Sequence, residues 1–120
     1  MTAPRTITVP TIDQGPLVLT CPPWCASHDT RIPQYQADLS HTGPEHAFRF
    51  NGEQLLLALL TQYPFGSGSR ETGLYVEQTG FARTLAPSGI RQLAATLTVH
   101  AVHLRTLAGQ LDELLGGGGR

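Results

Sequence analysis

Both cysteines of the chain and three of its five histidines fall in one stretch, CPPWCASHDTRIPQYQADLSHTGPEH, residues 21–46. Cys21, Cys25, His28 and His41 are spaced C-x3-C-x2-H-x12-H. Thiolate and neutral imidazole are the ligands that zinc prefers in closed, tetrahedral structural sites. Two close cysteines and a close histidine can wrap one ion from a single tight turn. Pro22, Pro23 and Trp24 stiffen that turn, and His41 closes the loop from a distance. His46 or Asp38, both near His41, could replace one member. A closed four-ligand site leaves no position for a reactive water, which argues against metal catalysis, so no catalytic residue is assigned.

Other chemistry competes for these residues. Cys21 and Cys25 could form a small disulfide, or be buried thiols with unrelated histidines nearby. The redox-active dithiol motif has two intervening residues, whereas three separate this pair. A fourth reading pairs Cys25 as nucleophile with His28 as base. Trp24 reads as a core plug rather than a platform for a ligand. His100 and His103 lie one helical turn apart but lack a neighbouring acid or thiol, and read as solvated helix histidines. No phosphate-binding loop is present, because Gly66-Ser67-Gly68-Ser69 lacks the lysine and the helix that must follow.

The elements that would position these ligands are short. The length of 120 residues fits one domain. A composition 40% hydrophobic and 14% charged is enough to build a core. The net charge of −1 gives no electrostatic case for nucleic acid or anionic lipid as partner. All eight basic residues are arginine, a bias that, with abundant Ala, Gly, Pro and Thr, points to a high-GC actinobacterial host. The first residues, MTAPRTITVPTID, lack the apolar core of a signal peptide. The longest apolar run, Leu55 to Leu60, falls far short of the ~20 residues that span a bilayer. A cytoplasmic location follows as the expectation, and there a cysteine pair reads as a metal site before a disulfide.

Arg5 to Pro10 alternates and is β-branched, and Leu17 to Thr20 is a second short strand after the turn at Asp13-Gln14-Gly15-Pro16. The two form either a hairpin or one interrupted strand. From Cys21 to His46 no period survives four prolines, so a metal staple is expected to hold the segment. Asn51-Gly52 is a turn; Glu53 to Tyr63 has the leucine density of a helix, yet its Thr-Gln-Tyr end and following loop favour a strand. Phe65 to Thr72 reads as a flexible loop, Gly73 to Gln78 as a strand, and Phe81 to Leu85 as its return strand.

Beyond Pro87 lies a helix of about 28 residues, roughly 42 Å long. Ile90, Ala94, Leu97, Ala101, Leu104, Ala108, Leu111 and Leu115 form a continuous seam at 4-3-4-3 spacing, widened by Leu93, Leu107 and Leu114. Alternating alanine and leucine permits close approach of a second helix, so a homodimer through this helix is an expectation. The glycines from Gly116 on should end the helix and leave residues 116–120 as a flexible tail.

The runs DQGPLVLTCPPWCASH, DLSHTGPEH and TQYPFGSGSRETGLYVEQTGFARTLAPSGIRQLA resemble a family of small proteins of unknown function from Streptomyces and related actinobacteria. The resemblance covers the chain from about Thr6 to the end of the helix. It implies no substrate, but does imply strands after Asn51 and a long terminal helix. Some relatives carry glutamate at the position of Cys21, which makes Cys25, His28 and His41 the core three ligands, with Cys21 or His46 as the fourth.

The sequence therefore predicts a single α+β domain over residues 1–115: a small antiparallel sheet packed on one long C-terminal helix, with an irregular metal-stapled loop. The expected function is a zinc-binding accessory or protein-interaction module, not an enzyme, with a protein partner and no membrane. The alternative is a small DNA-binding regulator, which the near-neutral charge opposes; a metal- or cysteine-dependent enzyme stands third.

Overall fold

The computed structural model describes residues 5–26 and 28–117. The chain opens with β1 (Arg5–Thr11) and β2 (Gly15–Cys21), paired antiparallel from Arg5↔Cys21 to Thr11↔Gly15. A hairpin is thus formed, and the alternative of one interrupted strand falls away. Its three-residue loop is closed by Thr11 Oγ1, which accepts from Gln14 N at 2.9 Å and donates to Gly15 O at 2.6 Å. Gly15 takes φ +64°, where a side chain is strained.

Among the described residues of the segment that follows, regular structure is limited to a 3-10 turn at Gln36–Asp38 and a single bridge from Gln34 to Thr11, and hydrogen bonds tie the segment to the hairpin. Ile12 N donates to Gln34 O, and Gln36 N to the Asp13 carboxylate. The chain then enters β3 (His41–Thr42), β4 (His46–Phe50) and β5 (Glu53–Gln62). β5 pairs antiparallel with β3 near its end and with β4 near its start. Asn51 (φ 48°) and Gly52 (φ 82°) both sit in the left-handed region. This is the two-residue hairpin geometry that an Asn-Gly pair favours. The leucine-rich stretch from Glu53 is therefore a strand, whereas the five residues of β4 lie where the sequence reading places no strand.

β6 (Gly73–Gln78) also pairs with β5. The return strand expected over Phe81 to Leu85 is absent: these residues have no ladder partner. Gly80 turns the chain at φ +79°, and Phe81 meets Phe50 edge-on with ring centroids 6.0 Å apart. Arg83 pairs with Glu53, so side-chain anchors take the place of strand pairing.

The helix α1 (Pro87–Gly117) runs 31 residues. It continues through Gly116 and Gly117, the start of the predicted tail; residues 118–120 lie outside the described residues. Its packed face lies toward the Leu93–Leu107–Leu114 edge of the expected stripe and includes Leu104 of the seam. Leu107 is buried and Leu93, His100, His103 and Leu114 are half-buried, while Ile90 (55% exposed), Leu97 (49%) and Leu115 (44%) stand open. The apolar stripe is wider than a sheet can cover, and the flank carrying both histidines is the one that packs. Among the described residues no helix is long and apolar enough to cross a membrane.

Contacts group the chain into two compact units. One takes the chain up to Pro44 together with Leu59–Gly73, and its core is Val9, Leu19 and Leu39, with Ile7, Leu17 and Phe65 packed around them. The other takes Glu45–Ala58 and the chain from Leu74 onward, and its core is Phe48, Ala58 and Leu107, flanked by Leu56, Leu74 and Leu104. Antiparallel sheets and one long terminal helix make this an α+β fold.

Candidate metal centre

β2 ends on Cys21 and β3 begins on His41, so regular structure delivers two of the candidate ligands. Between them the chain makes a tight turn in which Cys25 N donates to Pro22 O at 3.0 Å. That turn brings Cys25 back beside Cys21. It is then fastened to β3, because Ala26 N donates to Thr42 O at 2.8 Å. Gly43, just past His41, lies against Trp24: a Cβ there would sit 3.3 Å from the Trp24 carbonyl oxygen and 3.4 Å from Leu60 Cβ. This close approach accounts for glycine at that position. Trp24 itself is half-buried and meets the His41 ring edge-on, at 6.4 Å between centroids.

The outcome is a cluster of Cys21, Cys25, His28 and His41 whose ligand atoms all lie within 4.8 Å of one another. His28 Nε2 is 3.3 Å from Cys21 Sγ and 3.4 Å from Cys25 Sγ. Zinc bonds of about 2.3 Å to sulfur and about 2.0–2.1 Å to nitrogen, at tetrahedral angles, place sulfur and nitrogen roughly 3.5 Å apart. The observed separations match that spacing. Both cysteines are free thiols, so the disulfide reading does not hold here.

The chemistry of the donors points the same way. His41 is 3% exposed, and its Nδ1 is buried without a hydrogen-bond partner. An orphaned buried imidazole nitrogen is costly unless something ligates it. Burial holds His28 below its ordinary value, helped by the Arg5 guanidinium, and burial, then His28, then Arg5 do the same to His41. Both rings are therefore neutral, the form that binds metal. Burial pushes the Cys25 thiol up, opposed by a hydrogen bond from the Thr42 backbone and reinforced by Cys21. A divalent cation supplies what the thiols lack, a positive charge that draws off their protons.

Two supporting groups carry no signal in the sequence. Arg5 donates from Nη2 to Cys25 O at 2.9 Å across the hairpin, and the Thr42 N–H reaches the Cys25 sulfur. Such outer contacts orient ligands and tune them. They depend on which backbone atoms meet in three dimensions, and only the predicted start of β1 hinted at Arg5.

The remaining candidates go elsewhere. His46 is not part of the cluster; its ring stacks edge-on against His103 at 5.3 Å. Asp38 ends the 3-10 turn and is not a member either. His100 and His103 are half-buried rather than fully solvated: both pack on Phe48, at centroid distances of 5.2 and 4.8 Å. His100 Nε2 donates to the Arg49 carbonyl oxygen at 2.8 Å, which fixes the ring in place.

Residues 6–113 match a family described as a domain of unknown function, DUF6907. No curated protein and no solved structure matches the chain.

Proposed function

The chain belongs to the DUF6907 family, and from that premise we propose that it is a small zinc-binding accessory module whose metal is structural. The observation that carries this reading is the convergence of two thiols and two neutral imidazoles, one with an orphaned buried nitrogen, at zinc-like spacing. Four protein ligands fill a tetrahedral sphere, which favours a staple over a catalyst. Zinc in this place would fix the irregular segment between β2 and β3 to both strands. Its binding energy would then act as folding energy for the hairpin unit. The exposed surfaces of a stapled scaffold are suited to contact with a protein partner.

Native mass spectrometry of the purified chain should show one zinc per chain. Cobalt substituted for zinc should give the visible absorption of a tetrahedral, thiolate-ligated ion, and Cys25→Ser should lose it. A fully folded chain without metal, and indifferent to added zinc, would overturn the proposal.

A further inference from the structure

The helix α1 has a wider apolar stripe than its own unit covers. Successive residues advance about 100° around a helix, so positions seven apart fall in nearly the same column. One column holds Leu93, His100, Leu107 and Leu114, and this one packs within the unit, joined by half-buried Leu104 of the next. The next holds Ile90, Leu97, Leu104 and Leu111, and the one beyond it Ala94, Ala101, Ala108 and Leu115. Of these, Ile90, Ala94, Leu97, Ala108 and Leu115 are exposed. Beside Leu97 an apolar groove of about 390 Å³ opens, lined by Leu55, Leu56, Phe81 and Leu93.

We infer that this uncovered face binds a second copy of the chain, with the two α1 helices antiparallel. The columns are self-complementary in that direction. With the two-fold axis between Ala101 and Leu104, Leu97 faces the partner's Ala108, Ala101 faces the partner's Leu104, and Leu111 faces the partner's Ala94. Large meets small at these three central steps, which lets the helix axes approach closely there, while Ile90 meets the partner's Leu115 at the ends. The same patch serves both copies, as a closed two-fold interface requires.

Charge selects the direction. Arg91, Thr98, Arg105 and Asp112 form the column flanking the alanines. Antiparallel helices related by a two-fold axis bring like flanks together, so Arg91 of each copy meets the partner's Asp112. A parallel pair would instead set this flank against the Leu93–His100–Leu107 column, which holds no acid and is already packed. Among the described residues the ion pairs are Arg31–Asp29 and Arg83–Glu53, so Arg91 and Asp112 have no ion-pair partner there within one chain.

Sedimentation equilibrium of the full zinc-loaded chain should show a concentration-dependent dimer. Ala108→Glu sets a carboxylate against the partner's Leu97 in both halves and should raise the dissociation constant at least ~tenfold. Because Ala108 is exposed in the single chain, its melting under monomeric conditions should not change. Arg91→Asp should weaken the dimer several-fold, and adding Asp112→Arg to it should restore the original affinity. A chain that stays monomeric at sub-millimolar concentration would overturn the inference. A dimer indifferent to Ala108→Glu, or a charge swap that fails to restore, would do so equally.

Discussion

Replacing His41 by leucine separates what the ring does with metal from what it does without. In the metal-free chain the buried Nδ1 has no hydrogen-bond partner, and such a group costs about 1–3 kcal/mol. Leucine fills a similar volume without a polar atom. EDTA-treated His41→Leu should therefore be more stable than EDTA-treated wild type by about 1–3 kcal/mol, or roughly 4 °C in melting temperature for each kcal/mol. Zinc should invert the order. A structural site contributes about 10–16 kcal/mol over four ligands, so losing one removes about 3 kcal/mol and weakens zinc binding roughly 100-fold or more. The assay is a pair of urea melts for each protein, one in EDTA and one at buffered free zinc. The metal-free midpoint should rise on substitution, and the zinc-dependent shift should shrink. If zinc shifts both midpoints equally, His41 is not a ligand; if it shifts neither, the cluster is not a metal centre.

Two further perturbations test the reasoning. The metal-free chain should be most stable in a window around neutral pH. His28 and His41 are held below 6.5, so the stability they carry is present above that value and lost as pH falls through their depressed values. Cys25 is held above 9.0, so its contribution is present below that value and lost as pH rises through the raised one. Melts of EDTA-treated protein across this range should fall on both flanks, and a flat profile would contradict the burial assigned to these groups. In the helical unit, Phe48 is fully buried beneath His100 and His103, so Phe48→Ala should cost about 3–5 kcal/mol in a urea melt. A loss under about 1 kcal/mol would mean that the helix is not seated on β4.

The metal candidates were legible because zinc chemistry restricts its ligands to a few residue types, and Cys21, Cys25, His28 and His41 stand out by type alone. His46 could not be separated from them in the sequence, since proximity along the chain says nothing about which side of β4 a ring takes. The two strands of the first hairpin were legible from alternation and turn residues, though not their pairing, and the long helix was legible from its period. β4 was missed because HAFRF is only five residues long and follows directly on a proline-broken segment. The helix posed a different difficulty. Three adjacent columns are apolar or nearly so, and residue type favours the leucine–alanine face over one interrupted by two histidines. Packing chose the histidines, because Phe48 and the Arg49 carbonyl offer those rings both an aromatic face and an acceptor.

The strand β5 contributes its first six residues to the helical unit and the rest to the hairpin unit, so the chain leaves each unit and later returns to it. Neither unit is a contiguous length of polypeptide. No single stop codon, protease cut or fusion junction can deliver one of them free of residues from the other. A nick after Pro44 strands the hairpin without Phe65, and a deletion from Leu74 onward removes the helix while leaving Phe48 behind. Either unit can therefore be separated only with a fragment of the other attached: a chain cut before Leu74 keeps the metal cluster but carries β4 and the start of β5 without the helix that covers them.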